Sequence, residues 1–364
     1  MIETALPLVR LGPTDSPVLH SYYDICPESP DGRRAIVSVF ESDAIPGPAT
    51  VAIVARDGEV LGTVGDSAEA IGHVGRFALW LDDDRVAIRH GADEADSDWS
   101  IVRLSTGEEV RRPGSLRQWH AGTGRGLVQW LGATPNPHRL RQGIRVVDDS
   151  GDKVAEVDVR DCLEIVPEGM PKPPPDELNL MNLKWSPDGS RFFAVFTNEL
   201  HRRLARSDAP LFKTIVSFDS DACDARFLGS FTHHPIWSPD GSRVFAMQAR
   251  GDQQDLISLP ADGGGEASVV LKSVPGIHGT VTPGGRRLII DVPERNRTAC
   301  AIAGIDLADG RREDLVRFSH TRWEHREGNH PHPVPSPDGR RIYFNAQADG
   351  RCGCYALEMD ANGS

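Results

Sequence analysis

The chain alternates short, β-rich apolar runs with clusters of Gly, Pro and Asp. Ala35-Ile-Val-Ser-Val, Thr50-Val-Ala-Ile-Val-Ala, Glu59-Val-Leu-Gly-Thr-Val and Asp255-Leu-Ile-Ser-Leu are such runs. Bounded by turn formers and rich in β-branched side chains, they read as strands. No apolar period of 3.6 residues persists over a long window, so helices should be few.

Several of these runs follow the same turn. Ser29-Pro-Asp-Gly-Arg-Arg, Ser186-Pro-Asp-Gly-Ser-Arg, Ser238-Pro-Asp-Gly-Ser-Arg and Ser336-Pro-Asp-Gly-Arg-Arg each lead into one, and Thr282-Pro-Gly-Gly-Arg-Arg is a degenerate copy. Pro sets the first turn position, and Asp-Gly supplies a polar side chain and a positive φ. Two weaker copies, Trp80-Leu-Asp-Asp-Asp-Arg and Trp119-His-Ala-Gly-Thr-Gly-Arg, fill the interval between the first pair. The anchoring positions are 30, 82, 121, 187, 239, 283 and 337, with a mean spacing of about 51 residues, the size of a four-stranded propeller blade. The repeat therefore predicts an all-β protein: a seven-bladed β-propeller of four-stranded antiparallel blades, with 1–364 as a single domain, because a blade is covered only by its neighbours. The longest interval, 121 to 187, holds the Pro-rich stretch Pro167-Glu-Gly-Met-Pro-Lys-Pro-Pro-Pro-Asp, either a loop over one face or a surface excursion.

Composition removes several classes of function. With 39% hydrophobic and 26% charged residues over 364 positions, the chain can bury a sizeable core, and disorder along its length is excluded. Its 40 Lys plus Arg against 53 Asp plus Glu, a net charge of -13, offers no field for a polyanion, so nucleic acid is not an expected partner. No apolar stretch is long enough for a membrane helix, and the first residues lack a secretion signal, so a cytoplasmic address with no membrane partner is expected. The 6 Cys form no disulfide pattern; Cys352-Gly-Cys354 lacks the second pair of a zinc site and reads as two cysteines on one strand face. A nucleophile elbow, a phosphate loop and a dinucleotide fingerprint are all missing.

The repeat also organises the histidines. Five residues before the anchor stand Asn182, His234, His278 and His332, a recurrence far above what 13 His in 364 residues would scatter there. Equivalent positions in successive blades form a ring, so the recurrence is either an inherited packing or turn residue or a convergence of imidazoles on a metal or substrate. His330 and His332 are two apart, so an extended backbone projects both rings to one side, and Glu327 lies three residues earlier. His278, Glu327, His330 and His332 together make three nitrogens and a carboxylate, a set suited to Mn, Fe, Zn or Ni. The cluster His201-Arg202-Arg203-Leu-Ala-Arg206 is either a solvated surface or a carboxylate fork. Tyr22 and Tyr23 either pack a blade or offer phenols at its mouth.

At these residues the chain resembles the Ser-Pro-Asp-Gly propellers of Tol-system proteins and, more closely, the oligogalacturonate lyases. Glu327-x-x-His330-x-His332 is similar to the Gln-x-x-His-x-His element which, with a His one blade earlier, holds manganese in that family; Glu327 stands where the family has Gln. The resemblance implies His278, His330 and His332 as ligands of a divalent ion, with Mn2+ the expected one, His234 as general base, and Arg206 or Arg203 as the catalytic arginine. His201, Arg202, His233, Asn182 and Tyr23 are expected to contact substrate. The implied reaction is β-elimination on short uronate-containing oligosaccharides: metal and arginine neutralise the carboxylate, the base removes the C5 proton, and the bond to the 4-oxygen breaks. Such an anionic substrate meets a net negative protein, but a local positive patch can override a field screened beyond about 8–10 Å. Two alternatives stand beside this carbon–oxygen lyase: a non-catalytic propeller that binds a protein or carbohydrate, and a metal-dependent carbohydrate hydrolase on the same scaffold. The oligomeric state is left open.

Overall fold

A computed structural model describes residues 2–72, 74–91, 98–132, 141–204, 208–294, 299–319, 330–348 and 350–359. Its strands form seven antiparallel sheets, and the protein is a seven-bladed β-propeller. Blade I comprises Val18–Leu19, Arg34–Phe40, Gly47–Ala55 and Val60–Ala70. Blade II comprises Ala78–Trp80, Arg85–Arg89, Asp98–Arg103 and Glu109–Pro113; blade III comprises Ser115–His120, Arg125–Gly132, Arg141–Val147 and Lys153–Asp158. Blades IV and V run from Asn179–Trp185 to Ala225–Ser230 and from His233–Trp237 to Ser268–Leu271. Blade VI holds Gly279–Val281, Arg287–Pro293, Ala299–Asp306 and Arg312–Ser319, with the N-terminal Ile2–Glu3 added at its edge. Blade VII holds Val334–Pro335, Arg341–Ala348 and Arg351–Glu358, and Leu8–Leu11 supplies its outer strand by pairing Leu8 with Leu357 and Leu11 with Cys354.

All seven anchors of the repeat fall in the turn between the first and second strands of a blade. In the four Ser-Pro-Asp-Gly copies the turn is the same device. In the copy at Ser186 the hydroxyl donates to Asp188 at 2.6 Å and accepts the amide of Arg191 at 3.0 Å, while the Gly189 amide donates to the Ser186 carbonyl at 2.9 Å. Gly189 sits at φ 68°, where a Cβ would also meet the His120 ring at 2.6 Å. The described residues hold little helix: Glu199–Arg203 is one α-helical turn, and Asp161–Leu163 and Pro175–Glu177 are 3-10 turns.

The blades divide between two compact units, one holding I, II, VI and VII and the other III, IV and V. Within each unit, neighbouring sheets share an apolar layer. In the first, Ile289, Ile302 and Phe318 of blade VI pack with Phe344 and Leu357 of VII, and Val37 and Val54 of I pack with Tyr343 and Ala356 of VII. In the second, Phe192 and Phe218 of blade IV pack with Ile144 and Val146 of III, and the Pro-rich stretch packs on that layer through Met170, with Val166 and Leu178 buried at its two ends. A Trp two residues before the anchor recurs as a lock in both units: the indole N–H of Trp80 donates to the Pro27 carbonyl at 2.8 Å and that of Trp237 to the Lys184 carbonyl at 3.0 Å. Cys352 and Cys354 are buried in one strand of blade VII, and all six cysteines are free thiols. None of the described helices is long and apolar enough to cross a membrane.

Candidate metal centre and polar face

His278 lies immediately before the first strand of blade VI and is bracketed by one residue of the second strand. Its amide donates to Asp291 Oδ1 at 2.8 Å, its carbonyl accepts the Asp291 amide at 3.2 Å, and its Nδ1 lies 2.8 Å from Asp291 Oδ2. Asp291 is fully buried. A carboxylate there accepts the Nδ1 proton, so Nε2 is left as the lone-pair nitrogen. The chain can approach so closely because residue 276 is Gly: a Cβ would stand 2.5 Å from the Asp291 carbonyl oxygen.

His330 and His332 enter from the segment before the first strand of blade VII. They converge, but not from an extended strand, because His332 is in the left-handed region at φ 47°. The segment is held by buried Asn345 of the second strand, whose amide donates to the Pro331 carbonyl at 2.8 Å and whose Nδ2 donates to the His330 carbonyl at 3.3 Å. The ring centroid of His278 lies 5.2 Å from that of His330 and 4.5 Å from that of His332. One nitrogen from each of the three falls within 4.8 Å of the others, and all three residues are buried. Glu327 lies outside the described residues.

Three imidazoles from two blades with a buried carboxylate behind one of them form a donor set that fits a divalent transition ion. Burial pushes the neighbouring His20 imidazole down to about 4, outweighing the nearby carbonyls of Pro331 and His332, so His20 adds no competing cation. Tyr23 is fully buried with its ring 5.7 Å from His278 and 6.3 Å from His332, and burial raises its phenol well above the ordinary range. Tyr22 is half-buried and meets the His332 ring edge-on at 4.8 Å. The Tyr23 carbonyl accepts from Thr280 Oγ1 at 2.7 Å, which ties this segment to blade VI.

The remaining candidates lie in the other unit. Asn182 and His234 occupy bulges in the first strands of blades IV and V, both at φ 47°, the value His332 also takes. Asn and His tolerate the left-handed region better than most side chains, so the backbone itself accounts for their recurrence at this offset. His278 is not left-handed, so its place in the series has no such cause. His233 and His234 stack with ring centroids 5.7 Å apart. His201, Arg202 and Arg203 share the single helical turn Glu199–Arg203, His201 buried and both arginines exposed. Arg206 lies outside the described residues.

Glu199 at the start of that turn accepts from Lys213 Nζ at 2.9 Å. Burial would push its carboxyl up, but Lys213, His233 and Arg203 outweigh this and hold it below its ordinary value. Sequence reasoning passed over Glu199, Asp291 and Asn345. The one available signal was their spacing: Asp291 and Asn345 each stand four residues after the arginine that opens a second strand.

No family model matches the chain. An uncharacterized protein of Agrobacterium fabrum is 27% identical over 179 residues, which cover 49% of this chain and 54% of the relative. The match thus spans about half the length of that relative. Among solved structures, an oligogalacturonate lyase in complex with manganese superposes with a TM-score of 0.71 at 16% identity, covering 99% of this chain and 95% of the other. An oligogalacturonate lyase of Vibrio parahaemolyticus gives 0.69 at 14% identity over 100% and 98% of the two chains. The β-propeller domain of the Trilobed protease from Pyrococcus furiosus gives 0.58 at 11% identity over 96% and 97%. At such identities the likeness establishes the propeller fold that this chain shares with those lyases.

Proposed function

We propose that the protein is a metal-dependent lyase acting on short uronate-containing oligosaccharides. The observation that carries this reading is the convergence of His278, His330 and His332, buried, with a nitrogen from each within 4.8 Å. It is supported by the likeness in fold to oligogalacturonate lyases, one of them in complex with manganese. A bound divalent ion supplies positive charge to offset the uronate carboxylate and so acidify its C5 hydrogen. His278 presents Nε2 while Asp291 holds its Nδ1 proton. The family resemblance adds the other roles: Arg206 or Arg203 would share the carboxylate, and His234 would accept the C5 proton on an imidazole nitrogen, after which the bond to the 4-oxygen breaks and no water is consumed.

The test is incubation of the purified full chain with short oligogalacturonates and manganese while ultraviolet absorbance is followed, since elimination alone creates a conjugated 4,5-unsaturated sugar. New reducing ends without absorbance would identify a hydrolase. Neither signal, together with no stoichiometric metal, would leave a binding propeller. In an active preparation, His234→Ala is expected to lower kcat by about 100-fold or more without changing metal content.

A further inference from the structure

Every second strand opens on an arginine: Arg34, Arg85, Arg125, Arg191, Arg243, Arg287 and Arg341. The position four residues later differs by blade. In blade II it is buried Arg89, whose amide donates to the Phe77 carbonyl at 2.9 Å. In blade I it is Ser38, which receives the Arg76 amide at 2.8 Å and donates to the Arg76 carbonyl at 3.2 Å. In blade III it is Gln129, which donates to Gln142 at 3.0 Å. In blades VI and VII it is Asp291 and Asn345, which hold His278 and the His330–Pro331 segment, and Asn345 Oδ1 also receives the His20 amide at 3.0 Å. In blades IV and V, which carry Asn182 and His234, the same place is taken by apolar Val195 and Met247.

We infer that in blades VI and VII the side chain at this position braces the histidines that precede the first strand, and that Asp291 and Asn345 are the positioning residues of the His278, His330 and His332 centre. The two act differently. Asp291 fixes the tautomer and orientation of one ring and adds a negative charge that makes its nitrogen a better donor. Asn345 touches no imidazole and acts through backbone: with the His330 and Pro331 carbonyls tied down, both rings of that segment are placed together. A donor set assembled from two blades needs both, because each brace orders only its own blade. The inference rests on the metal reading above and adds to it Asn345 and the need for both braces.

The experiment is titration of manganese alone into the metal-stripped full chain, followed by calorimetry, with thermal melts of the metal-free proteins alongside. Asp291→Ala and Asn345→Ala are each expected to weaken manganese binding by about 10- to 100-fold. Asp291→Asn, which keeps an acceptor but loses the charge, should fall between Asp291→Ala and the parent. Val195→Ala, at the equivalent position of blade IV, should lower Tm and leave manganese affinity unchanged, which separates positioning from general loss of packing. If the parent binds manganese and both alanine variants bind it equally tightly, the inference is overturned and the metal reading stands. If the parent itself binds no divalent ion, both fall.

Discussion

Ser29, Ser186 and Ser238 each donate a hydroxyl to the aspartate two residues on, at 2.5 to 2.6 Å. That bond is the main cause that holds Asp31, Asp188 and Asp240 below the ordinary aspartate range. A carboxyl whose folded pKa is depressed contributes stability that is complete above its unfolded value of about 4 and is lost as pH falls through the folded value. Melting temperature should therefore decline below about pH 4, and a Ser29→Ala, Ser186→Ala, Ser238→Ala triple variant should start lower and decline less steeply. Thermal melts from neutral pH to about pH 2 measure both. A second residue-scale prediction concerns His234, whose φ of 47° is a backbone demand separate from any chemistry. His234→Gly should keep or raise Tm, and His234→Val should cost about 1–2 kcal/mol by chemical denaturation; if His234 is the base of the proposed reaction, both should abolish elimination. The sequence displayed the Asn and His series without this distinction. A shared offset signals shared backbone as readily as shared function, and only His278, outside the left-handed group, escapes that explanation.

Among elements, what the chain announces is local and what it conceals is long-range. Each Ser-Pro-Asp-Gly turn is written in a few adjacent residues, so the repeat located a first-to-second-strand turn in every blade, the weak copies at Trp80 and Trp119 included. The pairing of Leu8–Leu11 with the strand Arg351–Glu358 joins residues more than three hundred positions apart, and nothing in either segment specifies its partner. The helical turn Glu199–Arg203 was equally hidden, because five residues are too few to show a helical period. It exists because Asn198 closes the neck of the connection between the strands Arg191–Thr197 and Lys213–Asp219, its Oδ1 receiving the Phe212 amide at 2.8 Å and its Nδ2 donating to the Pro210 carbonyl at 2.9 Å. Asn198→Ala would leave that buried amide without its acceptor. It should lower stability by about 1–3 kcal/mol and, if Arg203 holds the carboxylate, raise KM for oligogalacturonates more than it lowers kcat. An unchanged KM would separate the helical turn from substrate binding.

At the scale of the whole chain, the unit that contains blades I, II, VI and VII gathers both ends of the sequence, and a buried charge pair joins its first and last blades. Arg341 opens the second strand of blade VII and donates from Nε to Glu28 Oε2 at 2.6 Å, while the Tyr343 hydroxyl donates to the same oxygen. All three residues are nearly fully buried. Burial opposes the Arg341 charge, but the Glu28 bond and the charges around it more than offset this, and the guanidinium stays protonated. Net charge and composition revealed nothing of this pair, since Glu28 and Arg341 look alike in sequence to many exposed acids and bases. Removing one partner strands the other in a low-dielectric layer, so Glu28→Ala should cost about 3–5 kcal/mol, whereas Glu28→Gln, which keeps an acceptor for both donors, should cost less. His330 and His332 precede the same blade VII, and Tyr22 and Tyr23 lead to Glu28 in blade I. Loosening this junction should therefore also weaken manganese binding, by less than Asp291→Ala does. Denaturant melts with and without manganese decide the point: if Glu28→Ala destabilises both forms equally, the ion pair closes the fold without serving the site, and if it destabilises the loaded form more, closure and metal binding are one cooperative event.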